Sequence, residues 1–383
     1  MSDPYVGREQ TKAKHFILRH YLQALAFKVL RFSDITYVDG FSGPWDTRTE
    51  DFSDSSFMIA ITVLRDAQRI IFEQEHVRRR IRCFFSESNP ESFAQLQAAV
   101  LPFHAPSDLF EIRTHGGEFQ NAVTEIQEFV ADSFALIFID PTGWTGYPLD
   151  KIKPLFLPRK REVLVNFMYD HVNRFASSED EETIASLSPI LGGPDWRDRL
   201  DTSLRRGLAV EKLFRETLKI SGEFKYVVST KIDKVTADRP HFFIIYGTKS
   251  LAGLKEFRQT EYNALRQHAR ARAGARERRR AERLNVDDLF ATHEAEVQEA
   301  TIDEIVGEQI TLASADLVEA LQTHKSARFS NVVAAVLEAY MLRETNVKDI
   351  CVALAKAGKI ENTWEGDNRK PRDDTIIQLK TTP

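Results

Sequence analysis

The chain has 383 residues, 42% hydrophobic and 28% charged, with a formal net charge of −5. That length suits two globular domains and buries a sizeable core without covalent staples. The only two cysteines, Cys83 and Cys351, exclude a disulfide framework, a zinc ribbon and an iron–sulfur site, and the acidic balance does not point to nucleic-acid binding by the chain as a whole.

The N-terminal MSDPYVGREQTKAKHF has no apolar region of the secretory type. No run of about 18 apolar residues is present to span a membrane. The expectation is a cytoplasmic protein with no membrane contact and no metal.

In chain order, residues 10–31 set Phe16, Ile17, Leu18, Tyr21, Leu22 and Leu25 at helical spacing. ITYVDGFSGPW (35–45) predicts a short buried strand running into a Gly/Pro turn. Residues 55–70 return to a helical pattern, and IRCFFSE (81–87) is a second apolar strand. The helix at 89–100 opens on an Asn cap followed by Pro. A strand over 111–119 and a helix over 119–131 follow, then the most apolar strand, FALIFIDPTGW (134–144), and another at 162–170. The segments 224–232 and 241–250 predict neighbouring strands that pair antiparallel. Alternating strands and helices argue for a Rossmann-like mixed sheet with helices on both faces. Near-continuous apolar strands fit, because both faces of such a sheet are covered.

Asp39, Glu87 and Asp140 all end strands in this reading, at the edge where open α/β sheets bind ligands. Asp39, Gly40, Phe41, Ser42 and Gly43 form a strand-end turn whose glycines allow tight turning and close backbone approach. The pattern resembles the D-x-F-x-G-x-G loop that wraps the methionine part of S-adenosylmethionine in Rossmann-like methyltransferases. Glu87 is a candidate to accept hydrogen bonds from a ribose diol. Asp140-Pro141 resembles the [D/N]-P-P-aromatic motif of amino-methyltransferases, where the acidic or amide side chain and the Pro carbonyl hold the target amine. Asp140 is equally placed to cap a turn. Trp144 and Tyr147 are candidates to stack a flipped base, or local packing. His115 reads as structural, and Lys12, Lys14 and His15 as ordinary helix-surface charge. Asn166, inside an apolar strand, needs partners either in the site or in a neighbouring loop.

Residues 266–283 hold eight Arg against two Glu, net +6. Arg278, Arg279 and Arg280 are candidate phosphate contacts there; the other reading is a solvated or salt-bridged helix. The acidic stretch 288–309 is a partner for that run, within or between chains. Residues 315–381 predict three helices and a β-hairpin, the winged-helix order, with Arg369, Lys370 and Arg372 on the wing. The resulting domains are 1–262, a Rossmann-like methyltransferase-type domain; 263–312, a basic then acidic helical linker; and 313–383, a winged-helix-like domain.

Together, HFILRHYL, YVDGFSGPW, the strand ending in Glu87, FIDPTGW, LVNFMYDHVNRF and the C-terminal W-x-G-x-x-RKPRDD resemble the three-Cys-motif partner family over nearly the whole chain. Trp45 and Thr142 depart from that family's usual D-G-F-A-G-P-G and D-P-F-G. The resemblance implies a methyltransferase-like protein using S-adenosylmethionine, with an appended winged-helix-type region and a radical-SAM-like, three-cysteine companion. The leading expectation is methyl transfer to nucleic acid, with Asp140 orienting the acceptor. The alternatives are a catalytically inactive binding partner and a DNA-binding component of a phage-defence or mobile-element system.

Overall fold

The computed structural model describes residues 3–44, 47–176, 178, 180–235, 237–284, 291–364 and 370–380; Trp45 and Arg369 lie outside the described residues. The chain divides into two compact units, Met1–Ser250 and Leu251–Pro383.

The first unit runs α1 (Glu9–Val29), β1 (Ile35–Asp39), α2 (Ser56–Glu75), β2 (Ile81–Glu87), α3 (Pro90–Val100), β3 (Phe110–Gly116), α4 (Val123–Val130), β4 (Phe134–Ile139), α5 (Leu149–Ile152), β5 (Arg161–Phe167), α6 (Tyr169–Phe175), α7 (Glu181–Leu191), α8 (Arg206–Ser221), β6 (Tyr226–Asp233) and β7 (Pro240–Thr248). Asn89 caps α3 as its sequence predicts, accepting from the Glu91 and Ser92 N–H groups at 3.0 Å.

The seven strands lie in the order β3-β2-β1-β4-β5-β7-β6. β1 to β5 are parallel, and β7 is antiparallel to both β5 and β6. That order makes a Rossmann-like sheet of the methyltransferase type, with helices on both faces. Every residue of β1 and β5 is buried, as double coverage requires. Val38, Ile137, Val163 and Val165 share one core cluster with Ile126, Tyr147, Leu187 and Phe214 from the α4–α8 side. The opposite face is covered by α1 and α2, which pack together and bury Ile17, Leu18, Leu22, Ile59 and Leu64. The expected antiparallel pairing of the last two strands is observed. The chain order reverses between β1 and β4, so the crevice at their C-terminal ends is the topological switch point.

The second unit runs α9 (Leu251–Leu284), α10 (Ala291–His324), β8 (Ser326–Arg328), α11 (Phe329–Ala339), α12 (Glu344–Lys356) and β9 (Ile376–Gln378). β8 and β9 pair antiparallel, and an isolated bridge joins Ile360 to Leu379. The basic run and the acidic stretch meet within this chain. Glu299 lies 2.8 Å from Arg266 and also pairs with Arg270, while the Tyr262 hydroxyl donates to Asp303 at 2.5 Å. The descending order of these partners makes α9 and α10 antiparallel. Each helix has 34 residues. α9 passes residue 262 and α10 passes residue 312 without a break; no proline interrupts either, and a lone Gly307 costs α10 only about 1 kcal/mol. Among the described residues, no helix is long and apolar enough to cross a membrane.

Candidate functional site

β2, β1 and β4 are consecutive neighbours, so the three acidic positions stand side by side at one edge of the sheet. Asp39 is the last residue of β1, Glu87 the last of β2, and Asp140 follows β4 directly. The sequence reading placed them at strand ends; the topology makes those strands adjacent.

The Asp39 carboxylate is fully buried and committed to its own loop. It accepts from the Phe41 N–H at 3.1 Å, the Ser56 hydroxyl at 2.7 Å and the Tyr37 hydroxyl at 3.3 Å. Ser56 is the first residue of α2, so this carboxylate ties the turn to the helix that follows. Burial pushes Asp39 up from 3.8 to about 6, although the Ser56 and Phe41 hydrogen bonds pull the other way. The Ser42 hydroxyl donates to the Asp39 carbonyl at 2.9 Å, and its N–H donates to the Ser86 carbonyl at 2.8 Å, locking the turn onto β2. Gly40 is required by packing, since a Cβ there would stand 2.8 Å from the Phe119 ring. Phe41 faces the same aromatic group, with ring centroids 6.0 Å from Phe119 and 6.4 Å from Tyr147. Gly43 is buried. Beyond the turn, Asp54 accepts from Arg8 at 3.0 Å, the Arg48 N–H at 3.0 Å and the Thr49 hydroxyl at 2.7 Å. Burial alone would raise Asp54, but these bonds outweigh it and hold the carboxyl below its usual range.

Glu87 is 2% exposed, and its Oε1 accepts from the Asn89 N–H at 2.6 Å. Its partner in register on β3 is Gly116. Nearby, His115 stacks on Phe84 and sits 3.0 Å from Glu125, consistent with a structural role.

Asp140 has the richest surroundings. Lys14, from α1, reaches it at 2.5 Å, with both side chains 14% exposed. Asn166, the penultimate residue of β5, donates its amide N–H to the other carboxylate oxygen at 2.7 Å and lies 3.4 Å from the Met168 sulfur. Among the described residues, the Asn166 Oδ1 is buried without a partner. The adjacent His15 is buried, 3.0 Å from the Tyr5 hydroxyl, and burial together with Lys14 and Arg8 drives its pKa well down. Lys14 and Asn166 are the residues the sequence underweighted. Neither has a motif of its own; the asparagine inside VLVNF was the one available signal. Pro141 is buried.

The candidate base-stacking residues are spent on packing. Tyr147 is fully buried, and the Trp144 indole N–H donates to Ser186 at 2.9 Å while its ring lies 4.6 Å from that of Phe175. Arg278, Arg279 and Arg280 are exposed on α9 in the second unit. Lys370 pairs with Asp349 of α12 at 2.5 Å, and the Arg372 N–H donates to Thr375. A cavity of about 830 Å³ opens on the helical face between Leu149, Lys153, Pro189, Gly193 and Ile220, and none of Asp39, Glu87 and Asp140 lines it.

An adenosyl ligand fits the tip residues in two respects. Glu87 places a buried carboxylate at the switch point, and the Gly40–Gly43 turn is tied through Asp39 to Ser56 at the N-terminus of α2. The Asp39 side chain serves the turn itself.

No family model matches the sequence, and no curated protein does. Among solved structures the chain is similar to an O-methyltransferase from Bacillus cereus in complex with SAH, at 14% identity over 60% of this chain and 80% of that one, with a TM-score of 0.33. It is also similar to a protein assigned as an rRNA methylase from Clostridium thermocellum, at 12% identity over 60% of this chain and 98% of that one, with a TM-score of 0.29. At such scores the likeness adds nothing to the strand order, and what those proteins bind or modify stays theirs.

Proposed function

We propose that this chain binds S-adenosylmethionine at the tips of β1, β2 and β4 and acts as a methyltransferase on, or together with, nucleic acid. The observation that carries the reading is the adjacency of Asp39, Glu87 and Asp140 at the switch point of this sheet. In the proposal, Glu87 holds the ribose hydroxyls, the turn Asp39–Gly43 shapes the wall beside the sulfonium, and Asp140 with the Pro141 carbonyl faces the acceptor. The sulfonium supplies an already activated methyl; the chain's part is alignment and exclusion of water. The order α10, β8, α11, α12, Ile360, β9 supports the winged-helix-like reading of residues 313–383, and exposed Arg278, Arg279 and Arg280 support a phosphate contact. A cytoplasmic location and a radical-SAM-like companion belong to the same proposal.

Titration calorimetry with S-adenosylmethionine and its demethylated product tests it. Binding in the micromolar range or tighter is expected, weakened about tenfold or more in Glu87→Gln, where one charged acceptor is lost. Absence of heat with either ligand rejects the proposal. A second reading, an inactive binding partner, is favoured by one observation: all three carboxylates already have partners within the chain. Tight cofactor binding without label transfer from methyl-labelled cofactor to RNA or DNA would select it.

A further inference from the structure

At the edge of the sheet opposite the acidic tips, the second half of α2, the connector into β2 and the turn Pro106–Asp108 before β3 border a cavity of about 310 Å³. Gln68 of α2 fastens these walls together, donating to the Arg79 carbonyl and to the Asp108 carbonyl, each at 3.1 Å. Three guanidiniums line the cavity. Arg69 is met by Asp66 and Glu73. Among the described residues, neither Arg65 nor Arg78 forms an ion pair with a carboxylate. Arg65 spends one donor on the Phe103 carbonyl at 2.7 Å and lies over the Phe110 ring, 4.1 Å from its centroid. Arg78 stands 4.6 Å over the Phe72 ring, which is 39% exposed. Two guanidiniums are thus held in place with most of their donors unspent, in a chain whose net charge is −5. Asp66 and Asp108 are the carboxylates on the same walls.

We propose that this cavity binds a nucleotide. The phosphate sits between Arg65 and Arg78, whose planar forks match its oxygens. The base lies against the exposed part of the Phe72 ring. Asp66 and Asp108 accept from the N–H groups of the base. A bare phosphate leaves Phe72 and both carboxylates without a use, and an apolar ligand leaves both guanidiniums without an anion. The volume lies at the small end of the range for ligand sites, which suits one nucleotide unit. None of these residues stands at a strand tip, so the site is independent of the cofactor reading above.

The test is titration calorimetry of the full chain with guanosine monophosphate, guanosine and inorganic phosphate. Guanine brings N–H donors for the carboxylates and differs from the adenine proposed at the strand tips. The monophosphate is expected to bind about tenfold or more tighter than either fragment. Arg78→Gln weakens the monophosphate and phosphate about tenfold each, since a charged donor is lost. Phe72→Leu keeps an apolar bed for Arg78 and removes the ring, so it weakens the monophosphate about fivefold or more and leaves phosphate unchanged. Both side chains are exposed, so the thermal transition is expected to persist. Hydrogen exchange places the ligand on the wild-type chain without any substitution: the monophosphate slows residues 76–80 and 104–109 and not the strand tips. No heat with the monophosphate, affinity no greater than that for phosphate, indifference to both substitutions, or protection confined to the strand tips overturns the inference. The cofactor reading stands or falls on its own titration. The 5′-phosphorylated dinucleotide pGpG, bound more tightly than the monophosphate, assigns the cavity to a nucleic-acid strand; bound more weakly, it assigns the cavity to a free nucleotide.

Discussion

Asp39 shows how a residue can belong to a site without being offered to a ligand. Its carboxylate is sealed among Phe41, Ser56 and Tyr37, and burial raises it from 3.8 to about 6. A carboxyl raised on folding holds its proton in the native state at pH values where the unfolded chain has lost it. Its contribution therefore favours the folded chain most below the unfolded value and declines as pH climbs from about 4 to about 6. Asp39→Asn keeps an acceptor for the Phe41 N–H and has no such decline. The stability of the variant relative to wild type is expected to improve by up to about 3 kcal/mol between pH 4 and pH 7, read from urea midpoints at each pH. A constant difference across that range refutes the account. The acid at the end of YVD was visible in the sequence because a strand-to-glycine boundary announces itself. That its oxygens are consumed by Ser56 was not, because the partner lies 17 residues on, past the loop and at the start of α2. Lys14 was hidden for the same reason on a larger scale: its partner is 126 residues away.

Among the elements, α1 does more than cover a face. Tyr21 donates to Glu162 at 2.5 Å and meets the Tyr246 hydroxyl, while Thr248 donates to the other Glu162 oxygen at 2.8 Å. Burial raises Glu162, and hydrogen bonds from Tyr21 and Thr248 oppose the rise. These residues join α1, β5 and β7 in a dry network. Tyr21→Phe deprives a buried carboxyl of a donor and is expected to cost about 2 kcal/mol, measured as a fall in the urea midpoint at unchanged slope. A loss below about 0.5 kcal/mol would assign the network no stabilising part. The elements themselves were largely readable: apolar runs located β1 to β7, and Asn89-Pro90 marked the start of α3. The helices α5 to α8 were not, since residues 149–221 mix short helices with turns and carry no long periodic stripe. The continuity of α10 was also missed, because its composition changes from acidic to aliphatic midway while its backbone does not.

At the scale of the whole molecule, charge is partitioned. The first unit carries the acidic strand tips, and α9 of the second carries the exposed Arg278, Arg279 and Arg280. Glu299 of α10 engages Arg266 and Arg270, further from the end of α9, so the basic run is part structural and part surface. Replacing Arg278, Arg279 and Arg280 by Gln is expected to reduce the slope of log affinity for duplex DNA against log salt by about 2 to 3, with thermal stability retained. An unchanged slope would remove these arginines from any phosphate contact. The switch point was legible once strand alternation was recognised, whereas the order of strands across the sheet, on which adjacency depends, exists only in three dimensions.

The fastening of α1 at Tyr21 has a further consequence. Lys14 lies seven residues earlier on the same helix, about 10 Å along its axis. A rod bolted at its foot does not slide to make room at its head. The Lys14 ammonium therefore leaves Asp140 only by rotation of its own four-carbon side chain, and the strength of that one ion pair sets how readily it does so.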